Sequence, residues 1–134
     1  MLENLRIVNS SFERADFSNC RMPGSNLRGA KLAGSSFTGS NLRRSDVSTA
    51  DFRGANLERC LFVECLMIDT VMEEAKVAGS NLMLSIMHRA ILRGADVSNA
   101  NLFCADLTGA IGDKKTSFAG SNVKRALVAG VYHG

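Results

Sequence analysis

The sequence predicts an all-β solenoid, a chain wound into stacked coils whose sides are short extended segments joined by tight corners. Three observations predict it. Every fifth residue from Ile7 to Leu107 is large and apolar, 21 positions without exception. The residue two places before each position from Phe12 onward, Ser10 to Ala105, is always Ala, Ser, Cys or Thr, and Ala110 continues that run. Glycine recurs two places after the large residue, at Gly24, Gly29, Gly34, Gly39, Gly54, Gly79, Gly94 and Gly109. A helix returns to the same face every 3.6 residues and a strand every two, so a period of five fits neither. It fits a chain that turns a corner in every repeat and offers one large and one small side chain to a common interior. Four such repeats close a square of about 20 residues, and squares stack through backbone hydrogen bonds at about 4.8 Å. Glycine suits a corner with positive φ.

The chain reads as one domain over residues 1–134, with about six coils and a length of roughly 30 Å. At the start, Leu2, Leu5 and Ile7 make the first repeat its own cap. Regular repeats run over about 5–110. The phase then breaks: after Leu107 the next large in-phase residue is Phe118, two repeats plus one residue later, so Gly112 to Lys115 forms a one-residue bulge or short loop. The last repeats, 116–130, place Phe118, Val123 and Val128 inside, with Thr116, Ser121 and Ala126 as their small partners. A short apolar tail, 131–134, closes the chain or joins a partner.

Composition narrows the function classes. The chain is 46% hydrophobic and 22% charged, with net charge +3. Its cations form no arm or cluster longer than a pair, which disfavours nucleic acid as a partner. No apolar run reaches the roughly 18–20 residues of a membrane span. Glu3, Asn4 and Arg6 stand where a signal peptide needs apolar residues, so a cytoplasmic location and reduced cysteines are expected.

Catalytic chemistry finds little support. His88 falls at an outward position and His133 next to the end. Outward Ser and Asp on a smooth rod make no concave, water-excluding pocket, so no catalytic residue, small-molecule substrate or cofactor is expected. Cys20, Cys60 and Cys65 occupy the small inward column and replace Ala there; Cys104 lies outside it. Without a third and fourth ligand at close spacing, no metal site is expected.

The segments "ADFSN", "SNLRG", "ADFRG", "ANLER", "ADVSN", "ANLFC" and "ADLTG" resemble the repeats of the pentapeptide-repeat family, and the resemblance covers nearly the whole chain. It implies a right-handed quadrilateral parallel β-helix. Members of that family often pair through their C-terminal ends, and its quinolone-resistance members bind topoisomerase by resembling DNA in shape and charge. For this chain the charge of +3 and the absence of long loops speak against a DNA mimic, a reading that a gyrase supercoiling assay would test.

The outward positions carry the strongest functional signal. The residue before each large one is polar at every position from Arg6 to Asn56, but six of the eleven from Leu61 to Ile111 are apolar. Folded on a 20-residue coil, Leu66 stacks under Ile86, and Val71 under Ile91 and Ile111. On a third face Val63, Met83 and Phe103 align, bordered by Leu61, Ile68 and Leu84. These residues form a candidate interaction surface for another protein or a second copy. Leu127, Val128, Val131 and Tyr132 form a candidate C-terminal dimer contact. The function expected is a non-enzymatic interaction or scaffold module.

Overall fold

The computed structural model describes residues 2–133, and side chains over 2–131. The chain is a right-handed quadrilateral β-helix. Single-residue parallel bridges recur every five residues and join positions 20 apart: Arg6 pairs with Asn26, Ser11 with Lys31, Asp16 with Ser36 and Arg21 with Asn41, one bridge on each side of the square. The ladder Arg6–Asn26–Asp46–Leu66–Ile86–Asp106–Leu127 runs up one side from the first coil to the last. Each junction uses the same bonds. The N–H of the large residue donates to the next coil, as Leu27 does to Asp46 O at 2.8 Å. The N–H two residues later does the same, as Gly29 does to Ser48 O at 3.0 Å. The small residue's carbonyl accepts from the coil above, as Ser10 O does from Lys31 N at 2.8 Å.

The large column fills the interior. From Met22 to Leu107 all of its members are buried, with aliphatic and Met side chains surrounding the aromatic group Phe17, Phe37 and Phe52. Phe17 and Phe37, one coil apart, stack with ring centroids 4.9 Å apart, and Phe37 meets Phe52 edge-on at 5.6 Å. The small column lets opposite walls approach. Its polar members do more than pack: Ser25 Oγ donates to Met22 O at 2.7 Å, Ser80 Oγ to Val77 O at 2.6 Å, and Thr70 Oγ1 reaches down one coil to Val47 O at 3.0 Å. A hydroxyl is affordable inside this coil because a carbonyl is always within reach; an unpartnered one would cost about 1–3 kcal/mol.

The corners go further than the glycine pattern implies. A left-handed residue with φ near +60° stands two places after every large residue, and at 15 of these positions it is not glycine. They include Thr49 and Leu84, whose side chains disfavour that conformation, beside the more tolerant Asn4, Asn9, Asn19 and Asn99. Corner geometry is therefore imposed by the stacked coil, and glycine relieves it only where it occurs.

A second device shapes the turns. Where the residue before the large one is Asp or Asn, its Oδ1 accepts the backbone N–H two residues on: Asp16 from Ser18 at 2.9 Å, Asp51 from Arg53 at 3.0 Å, Asn56 from Glu58 at 3.0 Å and Asn101 from Phe103 at 3.1 Å. This Asx bond closes the turn locally.

Near the C-terminus the ladder spacing changes from 20 to 21 residues. Ile91 pairs with Ile111, whereas Asp96 pairs with Ser117, so the extra residue lies between them. Gly112 is buried in the large column's place, and an added Cβ there would lie 3.1 Å from Thr116 Oγ1. Asp113 anchors the irregular turn, accepting from Gly94 N and Lys115 N, both at 3.0 Å. Pairing continues past the position where the repeat pattern ends: β1 (Ile111–Gly112) lies parallel to β2 (Tyr132–His133), with Ile111 opposite Tyr132. Residues 131–133 thus continue the coil instead of forming a separate tail, with Val131 in the small column's place.

Candidate interaction surface

The ladders predicted on the outside are present: Leu66 pairs with Ile86, and Val71 with Ile91 and then Ile111. Val63, Met83 and Phe103 follow one another up the adjoining face, where Glu64 N bonds Met83 O and Leu84 N bonds Phe103 O, both at 3.0 Å. The three apolar columns occupy three consecutive sides of the square.

Most of this candidate interaction surface is only partly open to solvent. Val63 is only 7% exposed, in the column between Arg43 below and Met83 above. Leu61, Ile68, Val71, Met83, Ile86, Ile91, Phe103 and Ile111 are half-buried. Coils about 4.8 Å apart leave little room between stacked aliphatic groups. Open apolar surface is concentrated at Leu66, 38% exposed, and at Leu84, 45% exposed. Leu84 stands at the corner two residues before Ile86, which stacks on Leu66, so one exposed leucine lies beside and the other below a half-buried isoleucine.

The predicted C-terminal contact residues divide. Leu127 continues an outward ladder from Asp106 and is exposed. Val128 occupies an inward position but is 59% exposed, because no further coil covers it. Val131 is half-buried against the core. The Tyr132 side chain lies outside the described residues. Phe118, Val123, Val128 and Val131 line a mostly apolar cavity of about 380 Å³ that opens at this end.

His88 is not a bare surface histidine. Its Nε2 lies 2.6 Å from Asp106 Oδ2, on the next coil of the same side. Asp106 also accepts from Thr108 Oγ1 and N, and the hydrogen bonds from Thr108 and His88 hold its carboxyl below the usual carboxylate value. With Thr108 bonded to the same carboxylate, this is an inter-coil strut and supplies no activated nucleophile. Below it, Arg89 grips Asp69 through two hydrogen bonds, at 2.7 and 2.9 Å.

Cys60 and Cys65 donate across one coil to Phe37 O and Leu42 O, at 2.7 and 2.8 Å. Burial pushes both thiols up to about 12, so neither forms thiolate near neutrality. Cys20 and Cys104 are half-buried. Among the described residues no cluster of three His, Cys, Asp or Glu side chains is placed to hold a metal ion, and no helix is long and apolar enough to cross a membrane.

Sequence reasoning missed the carbonyl partners of the small column, the left-handed non-glycine corners and the closure over Val63. All three depend on the stacked coil, whether the partner lies three residues back, as Met22 O does for Ser25, or 23, as Val47 O does for Thr70. The Asx bonds were open to discovery, since Asp or Asn precedes the large residue in many repeats.

A family model described as Pentapeptide repeats matches residues 10–48, 50–89 and 87–111, with eight copies. Among solved structures, the chain resembles a pentapeptide repeat protein (Rfr23) from the cyanobacterium Cyanothece 51142, at 16% identity and TM-score 0.50, covering 98% of this chain and 86% of that one. It also resembles a pentapeptide repeat protein from the Arabidopsis thaliana thylakoid lumen, at 32% identity and TM-score 0.41, covering 74% of this chain and 65% of that one. A third is HetL, a pentapeptide repeat protein involved in heterocyst differentiation regulation from Nostoc sp. strain PCC 7120, at 17% identity and TM-score 0.36, covering 98% and 90%. No curated protein sequence matches.

Proposed function

The chain belongs to the pentapeptide-repeat family, and from that premise we propose that it is a non-enzymatic interaction module that presents one side of a rigid rod to another protein or to a second copy of itself. The observation that carries this reading is the pair Leu66 and Leu84, exposed below and beside Ile86 in a region whose outward columns are otherwise half-buried. Exposed leucines over a half-buried apolar floor suit a small, dry interface centre. Charged residues surround it, with Glu64, Asp69 and Arg89 exposed nearby. A stacked coil holds such side chains in fixed register, so little ordering entropy is lost on binding.

The test compares the intact chain with a Leu66→Lys, Leu84→Lys double variant. Both positions face outward, so the fold should persist by circular dichroism. A partner captured by the intact chain from extract of its source cells, or self-association of the chain, should be lost in the variant. Retention of the same partner by both chains would overturn this surface.

A further inference from the structure

We propose that the edge of the rod carrying Leu84 binds an amphipathic helix of a partner protein, laid lengthwise, with acidic residues at both ends of its apolar stripe. This rests on the interaction reading above and names the chemistry of the partner. The build of the edge, its charge and its backbone support it.

Arg44, Glu64, Leu84 and Cys104 stand at successive left-handed corners. Each donates its N–H to the coil above, to the carbonyls of Val63, Met83, Phe103 and Lys124 in turn, at 2.9–3.1 Å. Read upward, the edge therefore presents two cations (Arg43, Arg44), one acid (Glu64), an apolar centre (Met83, Leu84, Phe103) and two cations again (Lys124, Arg125). Leu84 is the anchor. Among the described residues no other large aliphatic side chain stands at a left-handed corner, and it is 45% exposed. A left-handed leucine is conformationally unfavourable, and an exposed one buries too little to compensate, which marks the position for a role outside the fold.

The cations here are open. Arg43, Lys124 and Arg125 are exposed and form no ion pair among the described residues, and Arg44 meets Glu64 only at 3.7 Å. On the next edge round, by contrast, Arg89 is held by Asp69. From Arg43 to Arg125 the edge carries a net +3, the charge of the whole chain, so the acids and bases elsewhere balance. Glu3, two coils below Arg43, is the next charge down. Acidic groups on a partner complement both ends of this strip, and basic ones are repelled there.

The backbone selects a helix. Corner N–H groups and the carbonyls facing them bond along the rod, coil to coil, so no strand edge is offered sideways. An extended segment laid on this wall would leave its own backbone groups unpaired against apolar side chains, whereas a helix satisfies its own. The two cation pairs lie four coils apart, about 19 Å, the length of about 13 helical residues. Met83 and Phe103 are half-buried, so a flat lipid surface would touch little beyond Leu84, while a fitted helix reaches all three.

Fluorescence anisotropy on the full 134-residue chain tests this with two labelled, alanine-rich helical peptides of about five turns. Both carry the same leucine stripe; one has glutamates in its first and last turns, the other lysines. The acid-ended peptide should bind roughly tenfold more tightly, and salt should shrink the difference. Lys124→Glu with Arg125→Glu should abolish or invert the preference, with Lys124→Gln and Arg125→Gln replacing that pair should it lose its β spectrum. Leu84→Ser should weaken both peptides. Equal binding of the two peptides, or binding of neither, would overturn the proposal. So would flotation of the chain with phosphatidylserine–phosphatidylcholine vesicles in place of peptide binding, which would make the edge a lipid contact. The charge variants keep Leu66 and Leu84. A partner from cell extract that is lost with Leu66→Lys, Leu84→Lys yet retained by the charge variants would leave the interaction surface standing and reject the acidic helix.

Discussion

The coils before about residue 60 and those from 61 to 111 share one interior and differ outside. In the first region, Asp or Asn commonly precedes the large residue and fastens the turn: Asn26, Asn41, Asp46, Asp51 and Asn56 all accept the N–H two residues on. In the second, Leu66, Val71, Ile86 and Ile91 stand at that position and cannot. Their turns keep the same left-handed corners, at Asp69, Glu74 and Arg89 as elsewhere. The Asx bond therefore supports the turn without defining it. Stacking of interior side chains and coil-to-coil backbone bonds define it, and this leaves the outward position free to become an apolar ladder. A surface can be written onto this rod without redesigning the rod.

The sharpest test of a shared interior is a matched pair of truncations. Leu32→Ala lies under the polar exterior and Leu92→Ala under the apolar one, both fully or almost fully buried. Each should cost about 2–5 kcal/mol, and by similar amounts, in urea denaturation. A clearly smaller cost for Leu92→Ala would mean that the outward ladder carries part of the core's work.

Removing a turn bond should cost less. Asp51 fastens its turn and also holds Arg53, whose Nη2 lies 2.7 Å from Oδ2. Asp51→Ala should destabilise by about 0.5–1.5 kcal/mol, and Asp51→Asn by less because the turn acceptor survives. The same acids confer a pH dependence. The hydrogen bond from Arg53 holds the Asp51 carboxyl below the usual carboxylate value, and bonds from Ser18 and Ser98 do so for Asp16 and Asp96. A carboxylate whose folded value is depressed stabilises the fold above its unfolded value, and that contribution is lost as pH falls through the folded one. Stability should hold down to about pH 5 and drop below about pH 4, and replacing the three Asp residues by Asn should flatten the drop.

The interior columns, the position of the phase break and the alignment of the outward ladders were all legible in the sequence, because each follows from counting in fives and twenties. The shielding of Val63 was not. Its column was identified, but how deeply a side chain sinks into the wall depends on packing across coils, which a period does not encode. The left-handed corners at Thr49 and Leu84 were hidden for a different reason: local preference argues against them, and the tertiary stack overrides it. The hydroxyl and thiol partners were hidden because their acceptors lie on the interior wall, as far as 23 residues back for Cys60 and Cys65.

The smallest expected change is also the most discriminating for the exterior. Ile86→Asn should gain an Asx bond to the His88 N–H while losing its stack on Leu66, leaving stability within about 1 kcal/mol of the original. Partner binding through the lateral surface should nevertheless be lost. If instead the variant unfolds at much lower urea, the apolar ladder is structural and the proposed surface falls. Thiol chemistry adds a check on the interior: at pH 8 a disulfide reagent should spare Cys60 and Cys65 in the folded chain and reach them only on unfolding.

The extra residue at 112–116 bears on how the chain finds its alignment during folding. A repeat of uniform period is degenerate. Slipping one coil past the next by five residues returns every large side chain to an interior site and every small one to its own column, so the pattern alone does not penalise the error. Misaligned windings would then compete as near-equal minima. Unequal side chains break the tie, as where Phe17 must meet Phe37, and the irregular pentad breaks it outright. Gly112 can occupy only a site where no large side chain is required, and Asp113 must meet the open N–H of Gly94. That one irregularity is a registration mark, a fixed point from which the remaining coils can be aligned without ambiguity.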